Sequence, residues 1–149
     1  MTKGYNFPVP WSFPREASVY DLPFPLLMLC GYTLTVVVET AVVLVALSRR
    51  HPLRARLFAG AWLTACTYPV VWLVLPPLFE TRLGYLVVAE VFAPAAECVL
   101  FYFAFLNPLS PDRRATTRDM VAIVLANLAS FGVGELIYAF LVDPAAPPA

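Results

Sequence analysis

The chain has 149 residues, room for one domain; 60% are hydrophobic, 13% are charged, and the formal net charge is zero. A soluble domain of this length carries about 25% charged residues, so a soluble fold is excluded, and the lack of a basic stripe argues against nucleic acid as a partner. Three cysteines, Cys30, Cys66 and Cys98, stand singly, without the spacing of a disulfide framework or a zinc knuckle.

Residues 1–23 carry Pro8, Pro10, Pro14 and Pro23 interleaved with Tyr5, Phe7, Trp11, Phe13 and Tyr20. So many prolines exclude a regular helix, while the aromatics favour an extended arm in the headgroup zone or docked on another subunit. The arm holds no apolar stretch of the kind found in a cleavable leader, so the first hydrophobic segment is expected to stay as a helix.

Four apolar blocks follow, at 24–47, 57–78, 83–106 and 120–142. At ~1.5 Å per residue each is long enough for a hydrocarbon core of ~30 Å, and none has the polar face that a soluble bundle needs. The expected fold is an all-α membrane protein: an up-down-up-down antiparallel bundle of four transmembrane helices, followed by a disordered tail at 143–149.

The first connection holds Arg49, Arg50, Arg54 and Arg56, and the third holds Arg113, Arg114 and Arg118. Lys3, Arg15 and Arg82 fall on the other side. This bias places loops 48–56 and 107–119 in the cytoplasm and both termini outside, with a bacterial inner membrane as the expected location. The sole histidine, His51, reads as a solvated loop residue. Anionic headgroups are conceivable company for the arginines, but the ordinary positive-inside pattern accounts for them.

Four glutamates lie within the spans, Glu39, Glu90, Glu97 and Glu135, and no span interior supplies a Lys or Arg. Each costs on the order of 3 kcal/mol at mid-bilayer, so intramembrane carboxyls are read as functional by default. Depth counting puts Glu39, Glu97, Asn127, Thr64 and Thr67 in one plane, roughly 12–16 Å from the arginine-rich end. Tyr68 is a further candidate, donating its hydroxyl to Glu39 or Glu97 or serving as a core aromatic. Glu90 and Glu135 form a second layer toward the opposite end. Faces agree with depths. Glu90, Pro94 and Glu97 share one stripe, Asn127, Phe131 and Glu135 another, and Ser130 and Gly134 give the fourth span a small-residue surface for close packing.

Pro69 and Pro94 sit mid-span, where each frees the carbonyl four residues earlier and bends its helix. The carboxyls can act as neutral hydrogen-bonded glue, hold a hard cation, or meet basic residues of a partner. A bound cation is the only cofactor these oxygen ligands suggest, and no metal is singled out. Cys66 and Cys98, at similar depth, read as small apolar residues.

No HExxH, GxSxG or intramembrane aspartate pair is present, so an enzyme is not expected, and SFGVGE lacks the lysine of a P-loop. The lack of histidine in any span argues against haem or chlorophyll. In architecture alone, four short spans with an acidic residue in the first resemble the small multidrug-resistance exporters. The three further membrane glutamates depart from that pattern, and likeness of fold does not transfer function.

Two functions fit. One is a proton- or cation-handling transporter or coupling subunit centred on Glu39 and Glu97; it needs a homodimer or a partner, because four helices enclose little volume. The other is a non-catalytic accessory subunit of a larger membrane complex.

Overall fold

The computed structural model describes residues 24–106 and 112–141, and the described residues contain helices and short connections only. The N-terminal arm and the C-terminal tail lie outside them. Helix α1 spans Phe24–Ala46, α2 Leu53–Pro69, α3 Arg82–Phe105 and α4 Arg113–Leu141. The second rod continues past Pro69 through a π-helical turn, Val70–Val74, and a 3-10 turn, Pro76–Leu78. Among the described residues, four helical segments are long and apolar enough to cross a bilayer, which makes this a multi-pass membrane protein of the four-helix-bundle class.

Each helix packs on its neighbours in sequence, and α4 returns against α1 to close the ring. Helices α1 and α3 therefore face each other across the bundle, as do α2 and α4. That arrangement lets residues from all four helices meet at one depth.

Two helices start earlier than their apolar content implies. Helix α2 begins at Leu53 rather than Leu57, because Pro52 fixes φ at −64° and its carbonyl accepts the Arg56 amide at 3.1 Å. Helix α4 begins at Arg113 rather than Met120. Asp112 caps it, its Oδ1 accepting the Ala115 amide at 3.1 Å and its carbonyl the Thr116 amide at 2.9 Å. Arg54, Arg56, Arg113, Arg114 and Arg118 consequently stand on helical turns, and the connections are shorter than 48–56 and 107–119. Hydropathy marks where lipid begins, whereas caps mark where helical hydrogen bonding begins.

The two mid-span prolines behave differently. After Pro69 the ladder widens, and Leu75 donates to the carbonyl of Val70 at 3.0 Å, an i to i−5 bond. Pro94 is buried inside α3, which continues unbroken through it.

On the small-residue surface of the fourth span, Ser130 meets Glu39 of α1, but the glycines are not closely packed. A Cβ on Gly134, or on neighbouring Gly132, would meet nothing within 4 Å. The tight crossing is between α1 and α2, where a Cβ on Gly60 would stand 2.8 Å from the Cα of Thr40. Gly60 is buried there because only hydrogen fits.

The buried apolar cluster is Val43, Leu47, Ala59, Leu63, Phe101, Ala122, Ile123 and Ala126. By position along the helices, every member lies between the depth of Glu39 and Glu97 and the arginine-rich end. Carbonyls at the end of α1 and in the turn after it are covered by arginines. Arg56 donates to the carbonyls of Leu44 (3.1 Å), Ser48 (3.1 Å) and His51 (2.9 Å), and Arg118 donates to that of Ala46 at 2.8 Å. Cations at a helix C-terminus satisfy orphan acceptors and complement the helix dipole.

Candidate functional site

The mid-bilayer carboxyls meet. Glu39 on α1 and Glu97 on α3 are 4% and 3% exposed, although each belongs to a helix whose other side is exposed and apolar. They come from opposite helices of the ring and lie within electrostatic reach of each other. Helices α2 and α4 each contribute a pair of polar residues spaced three apart, one member to each carboxyl. Thr64 Oγ1 is 2.5 Å from Glu39 Oε2, and Ser130 Oγ is 2.8 Å from Glu39 Oε1. Thr67 Oγ1 is 2.8 Å from Glu97 Oε1, and Asn127 Nδ2 is 2.7 Å from Glu97 Oε2. Residues three apart on a helix share a face, so one helix side serves both carboxyls.

Each hydroxyl in this shell also touches a carbonyl of its own helix. Thr64 Oγ1 lies 2.9 Å from the carbonyl oxygen of Gly60, Thr67 Oγ1 3.1 Å from that of Leu63, and Ser130 Oγ 2.9 Å from that of Asn127. A hydroxyl has one proton and can donate to only one of its two oxygen neighbours at a time. Facing a carboxylate it donates inward. Facing a protonated carboxyl it turns to the helix carbonyl and accepts the acid proton. Both charge states are thereby met by rotating hydroxyls, without moving a heavy atom. Asn127 differs: its Nδ2 also donates to the Ile123 carbonyl at 3.1 Å, and these two acceptors fix the amide orientation.

Tyr68 does not join the pair. Its hydroxyl donates to the carbonyl of Met28 at 3.0 Å, and its ring packs on Tyr32 and Trp72. It points along α1 away from Glu39, passing over Gly31, where any Cβ would collide with its hydroxyl. Tyr68 is a packing aromatic.

In the expected second layer the two carboxyls are partnered differently. Glu135 is paired with Arg82 at 2.6 Å, both side chains 36% exposed, and the same guanidinium lies 4.5 Å from the centre of the Tyr138 ring. Arg82 opens α3 instead of ending a loop, which brings it within reach of α4. Glu90 is half-buried, within electrostatic reach of Glu135 and Glu39, and without a side-chain hydrogen bond among the described residues.

A second buried polar cluster lies at the arginine-rich end, on residues that sequence reasoning assigned to loops. Asp119 on α4 is 0% exposed. Its Oδ1 accepts the Ser48 amide at 2.6 Å, while its Oδ2 accepts the Ser48 hydroxyl at 3.1 Å and Arg50 Nη2 at 2.6 Å. His51, 8% exposed, places Nε2 3.0 Å from the same Oδ2 and packs edge-on against Phe101 at 5.3 Å. The carboxylate is an acceptor, so Nε2 carries the proton; the 3.2 Å approach of Arg50 Nε to that nitrogen is then a contact between two donors that Asp119 serves together. His51 is thus a buried member of an ion-pair network and not a solvated loop residue. A signal existed: Asp119, Ile123 and Asn127 recur every four residues, which extends the polar stripe of the fourth span one turn past its apolar boundary.

Among the described residues, no three His, Cys, Asp or Glu side chains gather as a metal site. Cys30 and Cys66 are exposed on the outside of the bundle, and Cys98 is half-buried, its thiol 3.7 Å from the Met120 carbonyl. No protein-family model, no curated protein and no solved structure matches the chain. The bundle therefore defines the class, a small multi-pass membrane protein with buried carboxyls, and the site alone must carry the functional reading.

Proposed function

We propose that this protein handles protons across its membrane, with Glu39 and Glu97 as a coupled acid pair that takes up and releases a proton. The observation that supports this is the hydroxyl shell. Thr64, Thr67 and Ser130 each stand between a carboxyl oxygen and a helix carbonyl, so protonation and deprotonation are both accommodated in place. A purely structural contact needs only one satisfied state. Two neighbouring acids in a low-dielectric interior favour sharing one proton over carrying two negative charges. The protein acts as a transporter or as a coupling subunit, with a second copy or a membrane partner completing any larger cavity. Its arginine-rich end faces the cytoplasm and its termini face outward, as in a bacterial inner membrane.

The alternative is an accessory subunit in which the pair is neutral glue. It draws support from the same completeness, since all four carboxyl oxygens already have side-chain partners within this chain.

Infrared difference spectroscopy on the reconstituted protein, stepped between acid and alkaline buffer, separates the readings. A carboxyl C=O band that titrates and is lost in Glu39→Gln and Glu97→Gln supports proton handling. A wild-type spectrum without a titrating buried carboxyl sinks it and favours the accessory role. A band that responds to added Na⁺ or Ca²⁺ at constant pH instead assigns the site to a cation.

A further inference from the structure

A buried apolar layer lies between the acid pair and the arginine-rich end of the bundle, whereas fewer of the described residues are buried toward the other end. On the arginine side, Val43, Leu47, Leu63, Phe101 and Ile123 are all at most 2% exposed and fill the space directly beneath Glu39 and Glu97. Beyond this plug stands Asp119. Its partners Ser48, Arg50 and His51 all belong to the end of α1 and the short turn into α2, so one carboxylate on α4 gathers most of the bonds to that corner, with Arg118 on the Ala46 carbonyl and Arg50 on Thr116 adding two more. On the opposite side, only Tyr68, Leu75, Ala89 and Pro94 are buried among the described residues. Gly132 and Gly134 face open space, and the Arg82–Glu135 pair is one-third exposed.

We propose that the Asp119 cluster, together with the apolar plug beneath it, is the closed cytoplasmic gate of the Glu39–Glu97 site, so that in this conformation the pair is shut off from the cytoplasmic face. The inference rests on the proton reading above and adds sidedness to it. The construction suits a gate because its two parts respond differently to water. The plug excludes water but makes no directional bond across the α1–α4 seam, whereas the latch is directional and can exchange each hydrogen bond for one to solvent at small net cost. Releasing Asp119 removes most of the directional bonds between the α1–α2 corner and α4, leaving Arg118 on the Ala46 carbonyl and Arg50 on Thr116, so the plug residues on α1 and α4 part more readily.

A reporter cysteine tests this. In a chain with Cys30, Cys66 and Cys98 replaced by Ala, Ile123→Cys is treated with a membrane-impermeant methanethiosulfonate from either face of oriented vesicles. With Asp119 intact, labelling from the arginine side is expected to be negligible. Asp119→Asn should raise that rate about tenfold, the response of a two-state closure weakened by ~1.4 kcal/mol, and leave the rate from the other face unchanged. Arg50→Gln, which leaves Ser48 and His51 on Asp119, should raise it by a smaller factor and serves if Asp119→Asn does not fold. Ready labelling from the arginine side with Asp119 intact, or an unchanged rate in both variants, overturns the gate. Proton flux in the same vesicles keeps the two ideas apart. A labelling increase with flux indifferent to Glu39→Gln removes the proton reading and with it the gate's function. Glu39-dependent flux without a labelling increase removes the gate alone.

Discussion

Thr64 and Thr67 lie one turn apart on α2, yet each hydroxyl serves a different carboxyl, Thr64 reaching Glu39 at 2.5 Å and Thr67 reaching Glu97 at 2.8 Å. Asn127 and Ser130 repeat the division from α4. The acid pair is therefore held by two parallel rungs, and its geometry depends on all four helices being present together.

Replacing either threonine by valine keeps shape and removes the rung. Each substitution is expected to cost about 1–3 kcal/mol, because a buried carboxyl oxygen loses its partner. Thr64→Ser and Thr67→Ser should cost less than 1 kcal/mol. Thermal unfolding in detergent measures the difference, and equal losses for Val and Ser would show that the hydroxyls contribute only volume.

Asp119→Ala removes the acceptor for Ser48, Arg50 and His51 at once. A loss of about 2–3 kcal/mol is expected, since charged hydrogen bonds vanish but Arg50, with its side chain 28% exposed, regains water. Denaturation in detergent, compared with Glu135→Ala, checks this. The Arg82–Glu135 pair, one-third exposed, should contribute no more than about 1 kcal/mol.

The glycines give a contrast in packing. Gly60→Ala forces a methyl into the backbone of Thr40 and is expected to destabilise by about 1–3 kcal/mol. Gly134→Ala meets open space and should be neutral or stabilise by roughly 0.5–1 kcal/mol through helix propensity. Reversal of that order in melting temperatures would contradict the α1–α2 crossing.

Tyr68→Phe loses one hydrogen bond to the Met28 carbonyl and is expected to cost about 1 kcal/mol. The titrating carboxyl signal should be unchanged in this variant. A shifted signal would place the phenol back in the site.

The sequence alone determined the four membrane spans and the shared depth of Glu39, Glu97, Thr64, Thr67 and Asn127. Both follow from one-dimensional rules: the length of apolar runs against bilayer thickness, and a constant rise per residue. What needed the tertiary structure was direction. Tyr68 has the depth of the site but turns to Met28, and Glu135 has the depth of Glu90 but turns to Arg82. The Asp119 corner was hidden for a related reason. Polar residues near a span end look like loop residues to a hydropathy count, and only the packing of α4 against the end of α1 removes Asp119 and His51 from water. Depth is set by the chain's own helical geometry, whereas a side chain's partner is set by which helices become neighbours.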